Sequence, residues 1–424
     1  MDTQLLWVLP FVAFLGAIAV FPLANKHWWE KHFAKVSFAL VGLIVFHYLI
    51  QVKDSGVLLR TGLEYFSFLA LIGSLFIVSG GIHMTVKGES DPLTNCAFLF
   101  LGAVLANFFG TTGASMVLVR PWIRMNKHRL SAFHIVFFIF IVSNVGGGLT
   151  PMGDPPLFLG YLKGVPFFWV LNNVWPAWTL AIGALLAIFF VLDSINFAKA
   201  PKKVRQRESL HEEEWKLQGG HNILFLTMII GAVFINHPLF LRETVMILAA
   251  VFSYKTTSRH VHEGNDFNFG PIKEVAILFA GIFAAMIPAL EWLEHNASAL
   301  GISSPGQFFW GSGILSSVLD NAPTYLNFLS AATGLFHQAN AARGIADPVA
   351  SLLLTHPNYI RAISVGSVFF GAVTYIGNGP NFLVKAIADQ SKVKTPGFFG
   401  YFFSYSLPVL IPIFTVIWFL FFRA

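Results

Sequence analysis

The sequence predicts an all-α polytopic membrane protein. It reads as two inverted repeats, each with about five spans and one re-entrant hairpin, whose broken helices meet at mid-membrane. Three observations lead there. The 424 residues are 55% hydrophobic and only 11% charged, against about 25% charged in a soluble domain. Apolar runs recur near the roughly 18 residues that a spanning helix needs. A decapeptide also occurs twice: Gly147-Gly-Leu-Thr150-Pro-Met-Gly153-Asp154-Pro-Pro156, then Gly371-Ala-Val-Thr374-Tyr-Ile-Gly377-Asn378-Gly-Pro380. Each copy interrupts an apolar stretch with glycine, proline and a side-chain oxygen. That suits two half-helices meeting at an ion or substrate site, as in transporters, and does not suit a continuous helix.

Apolar spans are expected at about 4–24, 35–51, 63–85, 132–153 with its continuation, and 173–197. Others follow at about 221–237, 239–254, 271–293, 358–389 and 397–422. Two segments do not fit as simple spans. Residues 95–119 are broken by Asn107, Gly110, Thr111, Thr112 and Ser115, and 306–335 by Asp320, Asn321 and Thr324. Neither arm of either segment is long enough to cross, so both read as re-entrant hairpins. The first repeat then covers 1–197, with its hairpin at 95–119 and a broken helix at about 132–170. A polar linker follows at 198–220. The second repeat covers 221–424, with its hairpin at 306–335 and a broken helix at about 358–389.

Under this topology most of the 27 Lys and Arg residues fall on one side, which the positive-inside rule makes cytoplasmic. Both termini then face outward from a plasma membrane, the inner membrane in a bacterium. An odd number of spans per half brings the second half in from the opposite side, which makes the repeats inverted. Residues 1–24 lack a basic n-region and read as a first span. The net charge of +6 is spread over short loops, so nucleic acid is not an expected partner. The lone Cys96 excludes an internal disulfide and a cysteine metal cluster. The lipid bilayer is the surrounding partner.

Candidate ligands come from the four polar breaks. Sodium is a hard cation and takes oxygen ligands. The first hairpin offers Asn107, Thr111, Thr112 and Ser115, and the first broken helix Asn144, Thr150 and Asp154. The second hairpin offers Asp320, Asn321 and Thr324, and the second broken helix Thr374, Asn378 and Asn381. Asp154 and Asp320 are the candidate sodium carboxylates, because acids inside a membrane are costly. Each residue also has a plainer reading. Asp154 before Pro155 has the position of an N-cap, Asp320 can cap the second hairpin, and the threonines can be packing hydroxyls. Lys385 can be an internal cation, can snorkel to the interface, or can pair with Asp389 at i+4. Glu64, Glu291 and Glu294 lie near span ends and read as interfacial, and His134 as a packing histidine.

Ser143-Asn-Val-Gly-Gly-Gly-Leu-Thr150-Pro-Met-Gly-Asp154-Pro-Pro156 resembles the Asn-x-Gly-Gly-x-x-Thr-x-x-Gly-Asp-Pro-Pro signature of NhaD-type sodium/proton antiporters and arsenite-permease relatives. Asp320-Asn-Ala-Pro-Thr324 resembles the hairpin motif of the same ion transporter superfamily, which also holds citrate and dicarboxylate carriers. The resemblance implies a scaffold domain, a mobile transport domain holding both hairpins, a homodimer and elevator-type alternating access. The chain departs from the paired Ser-Asn-Thr tips of the carboxylate carriers, since its first tip reads Gly110-Thr-Thr-Gly-Ala-Ser115.

The leading functional expectation is a sodium (or lithium)/proton antiporter in which Asp154 and Asp320 alternate between proton and sodium. A sodium- or proton-coupled citrate or dicarboxylate transporter is the alternative, and arsenite efflux a weaker one. Partners are therefore inorganic cations or a small carboxylate. No cofactor is expected beyond the transported or coupling sodium ion and proton. Without a nucleophile–base pair or metal cluster, no enzyme is expected.

Overall fold

The computed structural model describes residues 3–85, 91–199, 216–235, 237–297, 301–336 and 347–423. The expected linker at 198–220 therefore lies mostly outside the described residues.

The first long helices start where a polar side chain takes up the free amides of the opening turn. After α1 (Thr3–Ala24), Asn25 Oδ1 accepts from Trp28 N at 3.1 Å and begins α2 (Lys26–Phe46). A π-helical turn, His47–Val52, extends α2. Asp54 Oδ1 accepts from Gly56 N and Val57 N at 2.9 and 3.3 Å and begins α3 (Ser55–Gly80). Such a cap satisfies otherwise orphaned donors. Both helices therefore begin before the expected starts at 35 and 63, because an apolar window passes over a polar, capped first turn. The expected span to 85 stops at Gly80, since His83–Thr85 form β1, which pairs antiparallel with β2 (Lys216–Gln218).

α4 (Pro92–Met125) is two arms. Gly110 has φ 73° and ψ 156°, a region that glycine enters without steric cost. There the chain folds back. Asn95 Nδ2 donates to Asn126 Oδ1 at 2.8 Å, and the Phe98 and Trp122 rings lie 5.6 Å apart. The first broken helix consists of α5 (Ala132–Ile141), a tight turn at Val145–Gly147, and α6 (Pro155–Leu162). α7 (Phe167–Lys199) follows.

The second half runs through α8 (Asn222–Val233), α9 (Leu241–Thr256), α10 (Arg259–Gly264) and α11 (Gly270–Asn296). At 12 residues α8 is about 18 Å long, too short to cross a hydrocarbon core of about 30 Å by itself. α12 (Pro305–Val318) and α13 (Asn321–Leu335) form a second folded-back pair, with Phe308 and Phe328 rings 5.9 Å apart. Then come α14 (Pro348–Thr355) and a second broken helix: α15 (Pro357–Phe370), a turn at Gly371–Val373, and α16 (Gly379–Gln390). α17 (Phe398–Phe421) closes the chain and is π-helical over Phe402–Leu410, around Pro408.

Among the described residues, six helices are long and apolar enough to cross a membrane by length and composition. They are His27–Val52, Ser55–Gly80, Pro92–Met125, Phe167–Lys199, Gly270–Asn296 and Phe398–Phe421, of which the third is the folded-back α4. Large apolar side chains such as Phe38, Phe46, Leu59, Phe399 and Phe403 stand exposed. That surface belongs in lipid, and the protein is an all-α polytopic membrane protein. The two half-helices are packed crosswise: α6 lies against α13, and α16 against α4. Each hairpin is thereby set beside the other half's broken helix.

Candidate functional site

Asp154 holds the position of an N-cap, in extended backbone just before Pro155. Its side chain makes no capping bond to α6. Instead it faces three donors from three other segments. Thr111 Oγ1, one residue past the Gly110 turn, donates to Asp154 Oδ1 at 2.9 Å. Asn378 Nδ2, at the equivalent position of the second decapeptide, donates to the same oxygen at 3.1 Å. Asn321 Nδ2, at the start of α13, donates to Oδ2 at 2.5 Å. Asp154 is 1% exposed. A buried carboxylate needs such donors, and every one here is neutral. Asn321 Oδ1 is buried with no hydrogen-bond partner among the described residues, which leaves an open acceptor beside the carboxylate.

The surrounding amides hold the broken-helix loops. Asn144 Nδ2 donates to Asn381 Oδ1 at 2.7 Å, joining the two breaks directly. Asn378 Nδ2 also lies 3.2 Å from Asn144 Oδ1 and from Ser143 O. Asn381 Nδ2 donates to Gly371 O and Thr374 O at 2.8 and 2.9 Å. Asn107 spans the first loop, with Nδ2 donating to Gly146 O at 2.7 Å and Oδ1 accepting from Leu149 N at 3.0 Å.

The threonines of the two decapeptides play equivalent parts. Thr150 Oγ1 donates to Asn107 O at 2.6 Å, and Thr374 Oγ1 to Ser317 O at 2.5 Å. Each thus ties its loop to the first arm of its hairpin. The repeated glycines permit close approach within each loop. A Cβ at Gly153 would overlap Gly147 O, and one at Gly377 would lie 2.7 Å from Gly371 O.

The remaining candidates sit at the margin. Ser115 and Ser143 hydroxyls share a hydrogen bond at 2.8 Å. Ser143 was not among the sequence candidates, although it immediately precedes Asn144. Thr112 lines a cavity of about 30 Å³ beside Thr111 and Gly153. Asp320 Oδ1 accepts from Ala322 N at 3.0 Å and caps α13, and Thr324 Oγ1 donates to Asp320 O at 2.9 Å. The structure therefore brings Thr111, Asp154, Asn321 and Asn378 into direct contact, with Asn144 and Asn381 next to them.

A profile of the family described as "Putative citrate transport" matches residues 1–422. The chain belongs to that family. An uncharacterized transporter of Mycobacterium tuberculosis strain H37Rv is 23% identical over 368 residues, covering 78% of this chain and 80% of the relative. The 46 kDa membrane protein of Mycobacterium leprae is 23% identical over 362 residues, with the same coverage. Together the family and these relatives make the chain a membrane transporter.

One candidate of this citrate-family member stands apart from the cluster. Lys385 Nζ donates to Asp389 Oδ2 at 2.6 Å and to Thr395 Oγ1 at 3.2 Å, and lies 5.6 Å from the Tyr375 ring centroid. Its charge is already matched one turn along α16, by a pair of the kind worth about 0.3–0.5 kcal/mol when exposed. Lys385→Met should therefore keep transport in proteoliposomes within about twofold of wild type, as its small energetic role implies. A loss to background would show that this cation acts on the site.

Proposed function

We propose that this transporter is a secondary active carrier whose coupling cation binds at Asp154, and that it exchanges sodium or lithium for protons. What carries the reading is the Asp154 carboxylate, buried where four chain breaks converge and hydrogen-bonded, among the described residues, by the neutral groups of Thr111, Asn321 and Asn378. A proton and a sodium ion compete for one carboxylate, which makes the exchange obligatory. Sodium binding would require the Asn321 and Asn378 amides to turn their oxygens inward, because a hard cation takes oxygen ligands. The hydroxyl of Thr111 and nearby loop carbonyls would complete the shell. The equivalent roles of Thr150 and Thr374, and the equivalent extended N-cap positions of Asp154 and Asn378, support inverted repeats over 1–197 and 221–424. The folded-back arms support two re-entrant hairpins that move with the broken helices, in elevator fashion, against a dimeric scaffold. The protein would sit in the bacterial inner membrane with both termini outside.

A second reading is uptake of citrate or a related carboxylate coupled to sodium or protons at the same aspartate. The family description favours it. Acid-loaded proteoliposomes holding a pH dye separate the two. Sodium or lithium added outside should alkalinise the lumen, while potassium should not. Absence of proton movement in protein that takes up labelled citrate with sodium would overturn exchange and establish the second reading.

A further inference from the structure

A second polar cluster lies at the opposite end of α6 from Asp154. α3 carries Arg60, Glu64 and Ser67 at i, i+4 and i+7, on one face of the helix. At the end of α6, Lys163 Nζ donates to both oxygens of Glu64 at 2.7 and 2.8 Å. From the start of α9, Arg242 Nε and Nη2 donate to Glu243 Oε1 at 2.9 and 2.7 Å. Ser67 Oγ donates to the same Glu243 oxygen at 2.6 Å.

Arg60, Glu64, Ser67, Arg242 and Glu243 line a cavity of about 220 Å³, with Lys163 behind Glu64, and a neighbouring cavity of about 320 Å³ also meets Arg242. Each carboxylate already has a basic partner. Arg60 lines the cavity, stands exposed, and has no hydrogen bond or ion pair among the described residues. The cavity therefore carries one uncompensated positive charge. The same face of α3 continues to Leu71 and Leu75, which line the small cavity beside Thr111. α6 has eight residues, so this cluster lies about 12 Å along the helix from Asp154.

We infer that this cavity is a docking site for a small di- or tricarboxylate anion. Guanidinium groups present a planar fork that matches a carboxylate with two parallel hydrogen bonds. Arg60 and Arg242 border the same space, so an anion with two or more carboxylates can engage the Arg60 fork and the Nη1 that Arg242 does not spend on Glu243, whereas a monocarboxylate engages one. Glu64 lines the same cavity, and its carboxylate opposes the anion. The inference places this anion away from Asp154 and stands whether or not that residue exchanges sodium for protons.

The test is equilibrium binding of radiolabelled citrate to the full chain in lipid nanodiscs, with acetate as competitor. Wild type and Asp154→Asn should bind citrate equally, and acetate should displace it poorly. Arg60→Gln should weaken binding about tenfold, the loss of one charge-assisted contact. That side chain is exposed and unpartnered, so the variant should elute and melt as wild type does. Glu64→Gln should strengthen binding by removing a negative charge from the cavity wall.

Four outcomes would overturn the inference: no saturable binding in wild type, unchanged binding in Arg60→Gln, no gain in Glu64→Gln, or loss of binding in Asp154→Asn. The last would put citrate at the central site. Proton exchange measured on the same preparations keeps the two ideas separate. Failure of citrate docking leaves exchange through Asp154 intact, and absence of exchange leaves citrate binding measurable.

Discussion

Asp154→Asn should reduce sodium-dependent proton movement to the level of empty vesicles while the purified protein remains folded. Asparagine keeps the volume and removes the one group in the cluster that can alternate between a proton and a cation. The fold should tolerate it because the neighbours can adapt. Asn321 has an unpartnered Oδ1, so turning its amide lets that oxygen accept from the amide that the substitution introduces. The Thr111 hydroxyl can donate as before. The cost should be about 1 kcal/mol, one neutral hydrogen bond exchanged for another. Asp154→Leu is the contrast. It strands the donors of Thr111 and Asn321, at about 1–3 kcal/mol each, and should lower the melting temperature markedly, while Asn378 keeps Ser143 O and Asn144 Oδ1. In wild type, raising external pH should lower the apparent KM for sodium, because fewer protons compete for the carboxylate. The asparagine variant should show no such dependence. Wild-type exchange by Asp154→Asn would remove this residue from the coupling step.

The parts legible in the sequence are those whose chemistry is local. Gly153-Asp154-Pro155 and Gly377-Asn378-Gly-Pro380 announce broken helices because glycine, an Asx side chain and proline disfavour a continuous helix in any context. Gly110 among Asn107, Thr111 and Thr112 marked a break for the same reason, although its left-handed φ and the meeting of Asn95 with Asn126 needed the folded chain. The contacts that define the site were not legible. Asp154 meets Asn321 across 167 positions and Asn378 across 224, and no local pattern encodes such pairings. Asp154 looked like a helix cap by position, and only the structure shows its carboxylate turned away from α6. Glu64 reads as an interfacial acid, and no local pattern names its partner, Lys163 at a distant helix end. Polar first turns at Asn25 and Asp54 escaped the apolar windows because caps are polar by function.

Arg129→Met should be among the most destabilising single changes in the protein, by about 3–5 kcal/mol, the usual cost of stripping one partner from a buried ion pair. Asp193, on α7, is fully buried and is held by several groups at the base of the first hairpin. Arg129 Nη1 contacts its Oδ1, and Arg129 Nη2 donates to its Oδ2 at 3.0 Å. Asn95 Nδ2 donates to Oδ2 at 2.7 Å, and His134 Nε2 lies 3.0 Å from Oδ1. Removing the guanidinium leaves a buried carboxylate facing only an amide and an imidazole. Asn95 also binds Asn126, so the loss should loosen the closure of the two α4 arms. The tip of those arms carries Thr111 to Asp154, and transport should fall together with stability. A second substitution separates charge from shape. Adding Asp193→Leu to Arg129→Met removes the orphaned charge, and replacing both members of a buried pair by apolar groups is often neutral. The double variant should recover most of the melting temperature in detergent. If the single variant melts like wild type, the ion pair is not what anchors the hairpin. If the double variant melts as low as the single one, the loss comes from packing around Arg129, whose guanidinium also lies over the Phe197 ring at 5.3 Å.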